Sequence, residues 1–506
     1  MELSLNQQYL NYYETVLVRT FTHEETMEAI VSDAKPDILS VADTEGQVNL
    51  KAKQAQEGRC ELAGVIGLAV VYLPDGVMGL QRMDANIPFT AAFDDGAISG
   101  AARLAAEPRV VRAETRLLNP RKILVRVEIS IVLRVFMPRS TAICAQAEAE
   151  PALGLEQRSS TESAYLMTAV EEKAFSISED LMIPGSRPAA VSVLKFRSSL
   201  LSGESKLIGN KLVFKGELLL QVVYVCAEGG VEQIPFTLPF SQIMEINGTG
   251  DETDTNVCIY QTEAECRVSG EDGRTLQFSI GLIGQVTVSE KRSYPMLRDI
   301  YSTEQLLETE EKAYRFARLM ERGERTQNLR EIIETPVLPV QVMDVYTTTG
   351  PVQQSQEGNQ LVSTCDVTAH LLYEGDDGGI HQISQDFQVS QTLEGGAGSS
   401  CQASFRVVGE VVAVPVAVGI EVRILLTFSY ETLASRTCIA VCDVRLAGER
   451  ERGSSQPSLV LRSVAEESLW DIAKHYGITR QDVMQANDLD SEEQLCGKIL
   501  LIPQRR

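Results

Sequence analysis

The sequence predicts a mainly β protein: three repeated β-sandwich-like domains with short interdomain helices, followed by a small βααβ domain. Three observations predict it. Landmarks recur at intervals close to 150 residues, the runs between them are short and rich in Val, Ile, Leu and Thr, and the pattern changes after Arg445. A chain of 506 residues exceeds one ordinary core, so several domains are expected. Hydrophobic residues at 44% and charged residues at 23% give a composition that folds rather than one that stays disordered.

The repeat rests on four landmarks. Pro36, Pro188 and Pro339 stand before strand-like runs, separated by 152 and 151 residues. Val70-Val71-Tyr72, Val222-Val223-Tyr224 and Leu371-Leu372-Tyr373 follow, the tyrosines lying 36, 36 and 34 residues after the prolines. Next come Ile87-Pro88-Phe89 and Ile234-Pro235-Phe236, with Gln385-Asp386-Phe387 in the third copy. A long closing strand begins near Lys122, Leu276 and Gly419. This order places the copies at residues 1–150, 151–295 and 296–445, each long enough to bury a core of its own.

Within the copies, alternation such as Val125-Arg126-Val127-Glu128-Ile129 puts apolar groups on one face and charges on the other, the mark of a strand with one solvated side. Packing two such faces gives a sandwich or a partly closed barrel. The prolines suit strand edges, where a missing donor protects the edge or leaves it for assembly. Helices are expected at the joints. Ser302 with Gln305 has the spacing of a capping box before Leu306, Ala313, Tyr314, Ala317 and Met320, and Ser163 to Lys173 shows a weaker version.

Seventy acidic against 46 basic side chains give a formal charge of −24, which repels phosphate backbones and anionic lipid, so neither nucleic acid nor a membrane is an expected partner. No basic n-region or apolar h-region opens the chain, and no stretch reaches membrane-spanning length, so a cytoplasmic protein is expected. Ten cysteines are too sparse for a disulfide scaffold and are expected as reduced core thiols. His23, His370, His381 and His475 lack metal-site spacing, Cys438 and Cys442 do not form a redox motif, and Gly395 to Gly398 lacks the Lys-Ser/Thr of a phosphate loop. No catalytic residue, metal or cofactor is nominated, and an enzyme is not expected.

After a polar tract at 446–457, expected as a linker, residues 458–504 form a domain of their own. Leu459 to Leu461 make a strand. Ser468 and Asp471 cap a helix with Leu469, Ile472, Ala473 and Tyr476 on one face, ended by Gly477. Thr479 and Asp482 repeat the cap for a second helix, and Ile499 to Ile502 close with a strand stopped by Pro503.

The run from Ser468 to Thr479, then Ala486-Asn487, then Gly497 to Pro503 resembles the LysM family across the whole module. That resemblance implies a glycan groove for N-acetylglucosamine chains between the first strand–helix loop and the loop after the second helix, here Glu466 to Trp470 and Asn487 to Asp490. The family's Gly-Asp-Thr is replaced by Glu466-Glu467-Ser468, which adds charge and argues against glycan recognition. The candidate partner-binding residues are therefore Glu466, Glu467, Ser468, Leu469, Trp470, Asn487, Asp488 and Leu489, with Trp470 either module core or an exposed anchor.

Three β copies before a LysM module resemble the SPOCS-domain sporulation proteins of endospore-forming bacteria. The residues that carry this are Pro36-Asp37-Ile38-Leu39, Val70-Val71-Tyr72, Ile87-Pro88-Phe89 and Asn119-Pro120-Arg121-Lys122, clearest in the first copy. The resemblance implies a non-enzymatic scaffold or adaptor of the spore coat in the mother cell. It would act at the forespore surface and bind the coat ATPase SpoIVA through the LysM domain; a peptidoglycan binder is the alternative.

Overall fold

The structure is a computed structural model that describes residues 3–227, 229–246, 253–395, 399–450, 459–463, 467–489, 491 and 499–503. The fold is mainly β, and the three copies share one plan. In the first copy β1 (Leu3–Ile30), β2 (Ile38–Gln56), β3 (Arg59–Pro74), β4 (Gln81–Asp94), β5 (Arg103–Asn119) and β6 (Lys122–Ala149) follow in order. Strands β2-β3-β4 form one sheet, while β1 pairs antiparallel with β6 along its whole length and β5 joins the edge. The second copy repeats this with β7 (Leu155–Met182), β8 (Ala190–Ile208), β9 (Lys211–Cys226), β10 (Val231–Glu245), β11 (Thr253–Ser269) and β12 (Thr275–Ser302). In the third, two strands are interrupted: β13 (Gln305–Glu334), β14 (Pro339–Thr349), β15 (Gln353–Glu357), β16 (Gln360–Gly375), β17 (Ile380–Glu394), β18 (Ser399–Val407), β19 (Val412–Val416) and β20 (Gly419–Glu449).

In each copy the short sheet packs on one half of the long pair. Leu62, Ile66, Val70 and Phe89 meet Ile123, Val125, Val127 and Ile129 in the first copy, all 3% exposed or less. Alternation along β6 drives this, since successive side chains point to opposite faces. The other halves of the long pairs leave the sandwiches and converge. Leu10 and Ile143, Leu166 and Met296, and Tyr314, Phe316 and Ala440 form one apolar hub built by all three copies.

The short sheets close a ring at the other end, with β4 against β8, β10 against β14 and β17 against β2. Val71, Val223 and Leu372 form a second hub there with Ala42, Leu194 and Met343. The first strand of each short sheet slips register twice near its start, at Leu39 and Ala42 in β2, Val191 and Leu194 in β8, and Val340 and Met343 in β14. These paired bulges bend the strand and aim the next residue at the ring axis. That residue is Asp43, Lys195 or Asp344, opposite Val71, Val223 and Leu372 respectively. Lys195 is ion-paired with both aspartates, and all three side chains are 2% exposed or less. Arg197 binds Asp344 and, at 2.6 Å, Glu45. Burial pushes the Asp344 carboxyl up, but Arg197 and Lys195 overcome it and hold it far below the usual carboxylate range. Three like charges at equivalent positions would be unstable; one lysine between two aspartates fits a ring of non-identical copies.

The expected interdomain helices are strands. Residues 163–173 lie in β7 and 305–320 in β13. Tyr314 and Phe316 are buried in the hub two residues apart, which is a strand spacing, and pairing with β20 along almost all of β13 overrides the helix propensity of its Glu, Leu and Arg content. The capping signal was a turn: Ser302 Oγ accepts from the Glu304 and Gln305 N–H groups at 3.1 and 3.0 Å, the bonds a cap makes, at the tight β12–β13 junction. Strand β12 runs through Ser302, past the expected boundary at 295, and β20 takes in residues 446–449 of the expected linker.

Two landmarks need realignment. Val41, Val193 and Val342 face Tyr72, Tyr224 and Tyr373, so Pro339 is equivalent to Ile38 and Ala190, and Val337 takes the place of Pro36 and Pro188. The spacing to the tyrosine is then 36 in every copy. Tyr72 and Tyr224 donate to the Pro36 and Pro188 carbonyls at 3.3 and 3.1 Å, whereas the buried Tyr373 hydroxyl has no partner among the described residues. Likewise Pro88-Phe89 faces Val65-Gly64 and Pro239-Phe240 faces Glu217-Gly216, so Leu238-Pro239-Phe240, not Ile234-Pro235-Phe236, is the counterpart. A Cβ built on Gly64 or Gly216 would lie 2.6 Å from the phenylalanine ring above it. The third copy has Cys365 under Val389 instead, a larger residue below a smaller one, which conserves volume.

Nine cysteines are free, and the tenth, Cys496, lies outside the described residues. Among the described residues no three potential ligands gather as a metal site, and no helix is long and apolar enough to cross a membrane.

Candidate functional site

The C-terminal domain is built by β21 (Leu459–Ser463), α1 (Leu469–Tyr476), α2 (Arg480–Ala486) and β22 (Ile499–Pro503), with β21 antiparallel to β22. Both helices start with reciprocal caps, Ser468 with Asp471 and Thr479 with Asp482, which satisfy N–H groups left free at a helix start. Gly477 ends α1 at φ 63°, a left-handed conformation that costs glycine little. Leu469, Ile472, Ala473, Ile478, Val483, Leu500 and Ile502 form the core.

That core does not close on itself. Tyr301, near the end of β12, completes it: its ring meets Trp470 edge-on at 5.0 Å and its hydroxyl donates to the Ile478 carbonyl at 2.9 Å. Asp299 accepts from Trp470 Nε1 and from Lys474 Nζ, both at 2.6 Å. Burial raises the Asp299 carboxyl, but these two donors prevail and hold it below its ordinary value. Arg158 and Arg480 lie over the indole ring at 5.4 and 5.3 Å, and Arg480 is also 3.6 Å from Glu156. Arg450 donates to the Lys474 carbonyl at 3.3 Å. The domain is therefore fastened to the second copy by an aromatic pair and a shared carboxylate.

This arrangement sorts the candidate residues. Trp470 is 2% exposed and faces the ring, so it is an internal anchor and not an exposed one. Leu469 is core and Leu489 packs beside it. Asn487 is consumed by the fold: its amide donates to the Val483 and Leu501 carbonyls and accepts from the Leu501 N–H, each at 2.7 Å. Glu467, Ser468 and Asp488 are exposed. Asp488 adopts φ 49°, and Glu467 holds Arg462 by two contacts of 2.6 and 2.7 Å. Glu466 lies outside the described residues. Tyr301, Asp299, Arg158 and Glu156 escaped sequence reasoning, because nothing local distinguishes them from other strand residues and their partners lie more than a hundred residues away.

Comparison with known families bears on both parts. Residues 190–267, spanning β8 to β11, match the model described as SipL, SPOCS domain. Residues 464–503 match the LysM domain. The chain carries a SPOCS domain and a LysM domain. The SPOCS match falls on the second copy and not on the first, whose residues carry the resemblance in the sequence, and it covers the strands that carry Lys195 and Tyr224. A search among curated proteins finds no match to the chain. Both matched domains are binding domains without catalytic chemistry of their own, and the SPOCS domain marks the protein as sporulation-related.

Proposed function

We propose that the protein is a SipL-like, non-enzymatic scaffold of spore-coat assembly. It acts in the mother-cell cytoplasm at the forespore surface and binds a SpoIVA-like coat ATPase through its LysM domain. The observation that carries this reading is the fastening of the LysM domain onto the ring of β copies by Trp470, Lys474, Asp299 and Tyr301. A domain held in this way presents Glu467, Ser468 and Asp488 in fixed orientation, which lowers the entropy lost on docking a partner. A fluorescent fusion followed through sporulation tests it: signal encircling the forespore is expected, and diffuse signal defeats it.

The LysM match itself favours a second reading, a binder of peptidoglycan or other N-acetylglucosamine glycans. Against it stands the Glu467–Arg462 pair, which puts a charged bridge at the lip of the groove. Calorimetry with N-acetylglucosamine oligomers at millimolar concentration separates the two, heat of binding supporting the glycan and its absence the scaffold.

A further inference from the structure

The ring is not filled. Between its two hubs lies a cavity of about 440 Å³ lined by all three copies, among them Arg134 of the first, Cys258 of the second and Arg406 of the third. Its wall on the side of the first copy is the sheet face turned away from that sandwich. On β5, Glu107 and Arg109 are two apart and share a face, and Arg134 of β6, opposite Ala105, joins them diagonally.

Glu107 is the focus. Arg134 donates to it at 2.5 Å and Arg109 stands 3.6 Å away. Arg406 on β18 adds a third positive charge. Burial pushes the Glu107 carboxyl up, but Arg134, Arg109 and Arg406 together bring it down to about 2. The neighbouring Cys258 thiol, pushed up to about 12 by burial and by Glu107, is neutral and adds no negative charge. Three guanidinium groups thus share one carboxylate. Arg109 has further acceptors in Thr349 Oγ1 and the Phe405 carbonyl at 3.0 and 3.4 Å. Arg134 Nε is buried without a partner, and the Arg406 side chain makes no hydrogen bond or ion pair among the described residues. The three carboxylates elsewhere on the cavity wall are otherwise engaged: Asp254 and Glu431 lie 3.7 and 4.0 Å from Arg322, Tyr165 donates to Asp254 at 3.0 Å, and Ser429 Oγ donates to Glu324 at 2.9 Å.

The lining as a whole is balanced, Arg134, Lys215, Arg322 and Arg406 standing against Glu107, Asp254, Glu324 and Glu431, but around Glu107 guanidinium groups outnumber carboxylates, and a half-buried cation is costly unless an anion answers it. Guanidinium groups bind planar and tetrahedral oxyanions through paired N–H donors, and a cavity of this volume is of small-molecule size. We infer that the axial cavity of the ring of β copies binds a small oxyanion, a phosphate or a carboxylate, at Arg134 and Arg406 beside Glu107. The site joins the first and third copies, so its ligand would reinforce the closed ring.

Thermal unfolding of the full chain tests this with inorganic phosphate, citrate, and chloride at matched ionic strength. The melting temperature should rise in millimolar phosphate or citrate above the chloride control, the responding anion telling a phosphate site from a carboxylate site. Arg406→Gln, which sacrifices no internal bond, should weaken the apparent affinity by roughly tenfold or more, the effect of one charge lost at close range. Glu107→Gln, which removes the competing carboxylate, should strengthen it. A rise no larger than that in chloride, or an equal rise in Arg406→Gln, overturns the proposal.

Discussion

Replacing Lys195 by methionine removes the one cation that touches both axial aspartates. The side chains of Lys195, Asp43 and Asp344 are 1%, 2% and 1% exposed, so solvent screening offers little relief. In Lys195→Met, Asp344 keeps Arg197, but Asp43 keeps only the neutral donors Gln382, at 2.7 Å, and the Thr44 N–H, at 2.9 Å. Breaking a buried pair on one side costs about 3–5 kcal/mol, two to four decades in the folding equilibrium at roughly 1.4 kcal/mol per decade. Adding Asp43→Asn removes the orphaned charge while leaving an acceptor for Gln382, and should return more than half of the loss. Urea unfolding of the full chain, with hydrogen exchange read at β2, β8 and β14, measures both variants. A loss below about 1 kcal/mol in the single variant, or a double variant less stable than the single, would refute the view that this cluster holds the ring closed.

Three further outcomes follow from particular contacts. Gly64→Ala should destabilise the first sandwich by about 1–3 kcal/mol through clashes with the Phe89 ring and the Asn49 carbonyl, each 2.6 Å from the added Cβ, and Phe89→Val in the same chain should recover only the part owed to the ring; thermal melts of the single and double variants decide. Asn487→Ala should cost the LysM domain roughly 2–3 kcal/mol, since it strands the Val483 carbonyl and both polar groups of Leu501, seen as earlier unfolding of this domain by Trp470 emission. Asp299 ionises below its ordinary value when folded, so its contribution is present above about pH 4 and fades as pH falls through the lowered folded value. Trp470, the one tryptophan, should shift to redder emission over that acid range before far-ultraviolet circular dichroism changes; emission that moves only together with the dichroism counts against Asp299 as the clasp.

Much of the fold was legible because its signals are local. The alternation in β6, the tyrosines at 72, 224 and 373, and the caps at Ser468 and Thr479 depend on neighbours within a few residues, and a strand or helix writes these into its own sequence. The failures share another cause. Residues 305–320 satisfy a helical wheel and a capping box, yet β20 offers a pairing partner that no local window contains. The proline and Ile-Pro-Phe landmarks misled by two and four positions because the buried tyrosine and the Gly–Phe packing set the register, while a proline at a strand edge is free to drift. At the candidate site the sequence located the LysM loops but not their orientation. Trp470 reads equally well as core or as an exposed anchor until Tyr301 and Asp299, contributed by β12, are seen against it.

The central claim is that the LysM domain, locked to the ring of β copies, offers its exposed Glu467 and Asp488 edge to a coat ATPase. Affinity of the full chain for a purified SpoIVA-like ATPase tests it most directly, comparing wild type with the double variant Glu467→Arg and Asp488→Arg. Both residues are exposed, but Glu467→Arg gives up the Arg462 pair and Asp488→Arg loses a residue type favoured at φ 49°, so unchanged Trp470 emission is required to show that the domain still folds. The account predicts affinity at least roughly tenfold weaker, as expected when charges at a docking edge are reversed; equal affinity would contradict it.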